Sequence, residues 1–241
     1  MIEAVHPAVV LLEEEDVRIP GDVHALEEFR RWSHGEQFPE RGRIDYLQGD
    51  IEVDMSPEDL DTHGTVKIAI ASRLHALVAE QDRGYVYVDR ARVVSPAAKL
   101  SVEPDVVVVL WQSLDAGRIR KVPSSPPRPG RYVELEGAPD LVVEVVSNSS
   151  VGKDRKRLPA LYARAGVQEL WLIDARGDTP AFEIRGLKAG GYEQIAADGP
   201  PPDGWTSSPV LGCRFRLRRR MVREGHFVYS LDSSPSITSG I

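Results

Sequence analysis

The sequence predicts an α/β fold, a sandwich of helices around a mixed β-sheet. Two observations carry this. Residues 105–111 (DVVVVLW), 141–146 (LVVEVV) and 170–173 (LWLI) are short apolar runs, the kind that suits strands buried on both faces. Elsewhere, apolar residues recur at three and four, the period of a helix with one buried face. Strands alternating with helices favour a layered architecture. The chain has 241 residues, 41% of them hydrophobic, enough for one sizeable core, and neither a composition shift nor an internal repeat divides it.

The elements follow in order. Residues 1–20, acidic from Glu13 to Asp16, are expected to form a loosely attached arm. A single domain should occupy residues 21–230, and the Ser-rich residues 231–241 (LDSSPSITSGI) a tail. Residues 24–33 have a helical pattern with Leu26 and Phe29 inward. Residues 44–54 read as an N-terminal hairpin around Gln48-Gly49, a pair able to supply the positive φ of a tight turn. Ser56 and Pro57 look like the cap and first position of a helix. Its buried face would be Val66, Ile70, Leu74, Leu77 and Val78, over residues 61–80. Residues 85–94 alternate like one strand. Residues 122–130 (VPSSPPRPG) can continue neither helix nor ladder and should be a surface loop. Residues 156–165 form a second helix, stopped by Gly166 in a left-handed cap. Residues 182–185 and 192–195 look like a hairpin, and a C-terminal β extension follows.

The formal net charge of -7 argues against non-specific adhesion to nucleic acid but leaves local basic patches open. One cysteine, Cys213, excludes an internal disulfide or a thiolate zinc cluster, so a cytoplasmic location is expected. The first twenty residues lack the basic start and apolar core of a signal peptide, and no run is long enough to span a bilayer, so no membrane partner is expected. A glycine-rich phosphate loop and an HExxH motif are both missing from the sequence, which leaves nucleotide-binding and zinc-protease readings without support.

Two acids stand out. Glu144 interrupts LVVEVV, and a carboxylate on a buried strand needs a salt bridge, a proton or a metal. Asp105 opens the other apolar run. Together they could offer oxygen ligands to Mg²⁺ or Mn²⁺, since magnesium usually takes one or two protein carboxylates. Structural acids paired with Arg or backbone N–H are the competing reading. Asp140 shares a strand and a face with Glu144 but sits ~13 Å along it, too far for one ion. It reads as a strand-entry residue.

An ordered set of motifs carries a resemblance. It comprises Glu103-Pro104-Asp105 with the valines after it, Pro139-Asp140 leading to Glu144 and Ser147, Asp154, and the stretch from Leu161-Tyr162 through Gly166-Val167 and Glu169 to Trp171 and Asp174. Arg43, Asp45, Gly49-Asp50, Met55-Ser56-Pro57 and His63 add to it. Over residues 22–195 this resembles the Uma2 family of restriction-endonuclease relatives, in the PD-(D/E)xK nuclease superfamily. The resemblance implies a restriction-endonuclease-like core, with a central mixed sheet flanked by helices. It also implies metal-assisted hydrolysis of DNA phosphodiesters, with Asp105 and Glu144 as metal-binding catalytic acids.

The usual lysine position, two residues after the second acid, is Val146 here. In Uma2-like proteins a lysine on the following helix substitutes. Lys156 is the first choice, with Lys153 and Arg157 as alternatives. Asp45 could be a further metal ligand or could position the basic residue, and His63 could contact a phosphate or the site; both also have bland structural readings. Arg214, Arg216, Arg218, Arg219, Arg220 and Arg223 either track a DNA backbone or form a solvated strand edge. Two function classes follow: a Mg²⁺-dependent endonuclease acting on DNA, or a catalytically inactive nucleic-acid- or protein-binding domain on a nuclease fold. A homodimer is expected, with the region of Tyr192 and Trp205 as its interface.

Overall fold

The computed structural model describes residues 10–12 and 17–235. Strands β1 (Val10–Leu12) and β2 (Val17–Ile19) pair antiparallel. Val17 is buried with Leu26, Phe29 and Trp32 of helix α1 (Leu26–Ser33), whose spacing of three sets one face inward. The rest of the expected N-terminal arm lies outside the described residues.

Strands β3 (Arg43–Leu47) and β4 (Asp50–Asp54) form the expected hairpin, with Gln48 at φ 57° and Gly49 at φ 113°. The next helix starts later than Ser56. The Ser56 N–H donates to Asp54 Oδ1, which holds that stretch in a turn. Asp59 is the cap instead, accepting from the Asp61 and Thr62 N–H groups ahead of a π-helical turn, Leu60–Gly64, and helix α2 (Thr65–Val78).

Residues 85–94 are not one strand. They divide into β5 (Gly84–Val88) and β6 (Val93–Ser95), which belong to different sheets. Asp89 and Arg90, both at positive φ (42° and 52°), turn the chain from one sheet to the other. Strands β7 (Leu100–Val102) and β8 (Val106–Leu110) follow, and Trp111 opens helix α3 (Trp111–Asp115) rather than closing β8. Then come β9 (Ile119–Pro123), β10 (Tyr132–Gly137) and β11 (Leu141–Val145). The second helix begins three residues before the expected start, as a π-helical turn, Lys153–Arg157, leading into α4 (Leu158–Ala165); Gly166 caps it at φ 88°. The chain ends with β12 (Glu169–Asp174), β13 (Ala181–Lys188), β14 (Gly191–Gln194), β15 (Thr206–Ser208), β16 (Cys213–Arg223) and β17 (His226–Pro235).

The strands divide into two six-stranded mixed sheets, ordered β4-β3-β7-β6-β10-β9 and β14-β13-β12-β11-β8-β5, with β15-β16-β17 as a smaller third. On one face of the second sheet, Val66, Ile70 and Leu74 of α2 pack with Val143, Trp171 and Phe215. On the other face, Val142 and Leu172 meet Leu158, Leu161 and Tyr162 of α4, with Leu47 and Leu100 of the first sheet. The expected tail is corrected here. Residues 231–235 continue β17 with Leu231 buried, because the long β16–β17 ladder pairs Leu231 with Leu217. Residues 236–241 lie outside the described residues.

Candidate active site

The ladder between β8 and β11 is antiparallel and pairs Val106 with Val143. One step further, that register sets Asp105 beside Glu144. The Val145 N–H donates to Asp105 Oδ2 at 2.7 Å and anchors the aspartate there. Both acids are buried, at 0% and 1% exposure. Asp140 sits at the far end of β11, where its carboxylate accepts from the Leu110 N–H (2.7 Å) and Ser113 Oγ (2.6 Å). It tethers the start of α3 and takes no part in the Asp105–Glu144 pair.

Four elements close around the two acids. From β3, the Arg43 guanidinium donates to Asp105 Oδ1 at 2.7 Å. From the π-helical turn ahead of α2, His63 Nε2 lies 3.4 Å from Asp105 Oδ2, while Nδ1 is 2.6 Å from Glu58 Oε1. From α4, the Tyr162 hydroxyl donates to Glu144 Oε1 at 2.5 Å. The turn ahead of α4 brings Lys153 Nζ to 3.0 Å from Asp45 Oδ2, and Asp45 Oδ1 in turn accepts from the Glu103 N–H. Asp154 is buried on the same turn. Its Oδ2 accepts from Ser150 Oγ, and its buried Oδ1 has no hydrogen-bond partner among the described residues.

Electrostatics separate the acids. Burial alone would raise the Asp105 carboxyl, but the contact with His63, the Arg43 charge and the Val145 N–H outweigh it and hold Asp105 well below the usual carboxylate range. For Glu144, burial and then the charges of Asp105 and Asp154 push the other way and raise it well above that range. Burial likewise raises Asp154, to about 6, against the Ser150 hydrogen bond and the Lys153 charge. The ammonium of Lys153 loses stability through burial, yet the Asp45 and Glu144 charges more than restore it and raise its pKa.

Above the acids opens a cleft of about 290 Å³. Arg43 and His63 both line it and both touch Asp105, so they link the cleft to the acids beneath. The donor chemistry suits a hard cation: buried carboxylates repel one another, and Asp154 Oδ1 is a buried acceptor without a partner. Among the described residues, no three His, Cys, Asp or Glu side chains already converge as a complete protein cage. Asp105 and Glu144 would therefore be a two-ligand set, the number Mg²⁺ commonly takes.

The other expected residues fall in several places. Lys153 joins the cluster. Lys156 is exposed and forms no ion pair among the described residues. Arg157 reaches Glu52 and, at 2.9 Å, Asp50, tying the turn to the β3–β4 hairpin. The basic strand β16 spends Arg214, Arg216 and Arg218 on Asp198, Asp203 and Asp232. Tyr192 is partly buried, packs against the α4 core and donates its hydroxyl to the Val167 carbonyl. Arg43, Tyr162 and Asp154 had no assigned role. Arg43 could have been found from its spacing of two from Asp45, which puts both on one face of a strand. No sequence signal marks Tyr162 as the partner of Glu144.

An α/β frame with two buried acids side by side on neighbouring strands, and a lysine supplied by the next helix, places the chain in the restriction-endonuclease-like class. The chain belongs to the Uma2 family, whose model, described as "Putative restriction endonuclease", matches residues 26–219. Among solved structures it is similar to the crystal structure of "a putative nuclease belonging to DUF820" from Anabaena variabilis ATCC 29413. The two share 19% identity and a TM-score of 0.56, over 78% of this chain and 90% of that one. No curated protein matches the chain. No helix among the described residues is long and apolar enough to cross a membrane.

Proposed function

We propose that the chain is a divalent-metal-dependent endonuclease that hydrolyses DNA phosphodiester bonds. The observation that carries this is the β8–β11 register, which sets Asp105 beside Glu144 in a buried pair behind Arg43 and His63, two residues that line a cleft. Asp105 and Glu144 would hold Mg²⁺ or Mn²⁺, with the unpartnered Oδ1 of Asp154 close enough for its charge to act on Glu144. When bound, the cation supplies Lewis-acid polarisation of the scissile phosphate and an acidified water.

The chain's own residues do the rest. Arg43 lines the cleft and can exchange its carboxylate partner for a phosphate, which a guanidinium binds in a fixed fork. Lys153 offers an ammonium to the charge that develops on the phosphate oxygens, and Asp45 keeps it in place. His63, held between Glu58 and Asp105, positions Asp105. An inactive binding domain was the rival reading because Val146 takes the usual lysine position. Lys153 supports the active reading, since it supplies the ammonium from the following turn.

Supercoiled plasmid incubated with the protein and Mg²⁺ or Mn²⁺ should be nicked or linearised. EDTA, Asp105→Ala and Glu144→Ala should each stop the reaction. Cleavage that survives both substitutions would overturn the proposal.

A further inference from the structure

Beyond the candidate active site, the edges of the two large sheets meet. Strand β5, at the edge of one, presents Tyr85 and Tyr87 on one face. Strand β9, at the edge of the other, and its neighbour β10 present Lys121 and Tyr132. The Lys121 ammonium lies 3.4 Å from the centre of the Tyr85 ring, 5.5 Å from that of Tyr132 and 5.9 Å from that of Tyr87. Trp111 meets Tyr85 edge-on, with ring centres 4.6 Å apart. These rings are not core: Tyr132 is 55% exposed and Tyr85 37%.

Tyr85, Tyr87 and Tyr132 line a cavity of about 350 Å³ that shares wall residues with its neighbours. Arg90 lines both this cavity and the cleft above Asp105. Tyr132 and Val133 line both this cavity and a further one, of about 220 Å³, bordered by Arg128 and Arg131. Three neighbouring cavities therefore follow one another from the cleft of the candidate active site, past Arg90, over the tyrosines, to two more arginines, and together mark out a path along the surface.

Only part of the charge along this path is matched by acids. Arg92, Arg118 and Arg120 pair with Glu103, Asp140 and Glu136. Arg90, Lys121, Arg128 and Arg131 form no ion pair among the described residues, and residues 118–131 contain no acid. Glu134, the acid that lines the tyrosine cavity, is matched by Arg30 and His34, and at the cleft end Asp89, next to Arg90, is matched by Lys67. Arg90 is also held at φ 52°, a conformation that costs energy in a non-glycine residue and fixes it in the wall that the two cavities share.

We propose that this path binds a single-stranded segment of DNA leading to the active site. It has the two parts such binding needs: π-faces that stack bases regardless of sequence, and cations spaced along the route for phosphates. A duplex could not seat its stacked, paired bases on Tyr85 and Tyr132. An unpaired strand could, with Lys121 moving from the ring face to a phosphate. The inference rests on the nuclease reading only for DNA as the polymer.

The test is fluorescence anisotropy in EDTA, with a labelled 12-nucleotide oligo(dT) and a blunt duplex of equal length. The wild-type chain should bind the single strand more tightly. The double variant Tyr85→Ala/Tyr132→Ala should lose about 10-fold or more of that affinity with little change for duplex. Tyr85→Phe/Tyr132→Phe, which keeps the π-faces, should stay close to wild type. Thermal melting confirms that each variant is folded. The proposal is overturned by a wild-type chain with no single-strand preference, by alanine variants that bind as before, or by equal losses for strand and duplex. Conversion of a dimer to a monomer by the alanine pair, without loss of strand binding, would also overturn it. Tyrosine-dependent strand binding in a chain that cuts no plasmid would refute the nuclease reading alone.

Discussion

Asp105 and Glu144 stand side by side across the β8–β11 ladder, yet their surroundings hold one ionised and favour a proton on the other. Arg43, His63 and a backbone N–H surround Asp105, whereas among the described residues the hydroxyl of Tyr162 alone hydrogen-bonds to Glu144. A group whose folded pKa is raised contributes stability that is full at low pH and is lost as pH rises. Glu144→Gln, which can still accept from Tyr162, should therefore melt higher than wild type at pH 8 in metal-free buffer. An increase of about 1 kcal/mol, or ~2–4 °C, is expected. The gap should shrink towards pH 4, and cleavage should be lost. A variant that melts lower at pH 8 would contradict the assigned electrostatics.

Lys153, rather than Lys156, should matter for catalysis. Lys153→Met should reduce cleavage by about 100-fold or more, the scale set by losing one group that stabilises transition-state charge. It should also destabilise the fold, because Asp45 is buried at 2% exposure and loses its cation. Lys156→Met, at an exposed position, should change neither rate nor melting temperature. Equal rate losses in the two variants would refute this assignment.

Asp140 separates structure from chemistry within β11. Asp140→Ala removes the acceptor for the Leu110 N–H and Ser113 Oγ and should cost about 1–3 kcal/mol. Urea unfolding measures that loss. Cleavage per folded molecule should stay within about 3-fold of wild type, given that a site away from the reacting groups contributes no transition-state contact. A large loss of rate in a well-folded variant would mean that the acid pair has been misassigned.

Glu134 provides a pH-dependent link between α1 and β10. Burial would raise its carboxyl, but His34 and Arg30 outweigh that and lower it. A lowered folded pKa gives stability that is present above the unfolded value, about 4.3, and is lost as pH falls through the folded one. Wild type should lose this contribution below about pH 4. Glu134→Gln should be less stable at pH 7 by about 1–2 kcal/mol, and less sensitive to acid. Parallel stability-versus-pH curves for the two proteins would rule the link out.

The sequence by itself determined the α/β class, the buried strands, the β3–β4 turn, the cap at Gly166 and the presence of Asp105 and Glu144 as candidate acids in apolar surroundings. These features depend on local period, on residues that fix φ, and on the rule that a charge inside an apolar strand needs compensation. Tertiary structure decided the rest. The break at Asp89–Arg90 is hidden in sequence, because both halves alternate alike while pairing in different sheets. That Lys153 reaches Asp45 while Lys156 stays exposed turns on the exact start of the turn before α4, and one residue of helix rotates a side chain by about 100°. Arg43 and Tyr162 reach the acids from elements 62 and 18 residues away in the chain, and that convergence is a property of packing that no local pattern encodes.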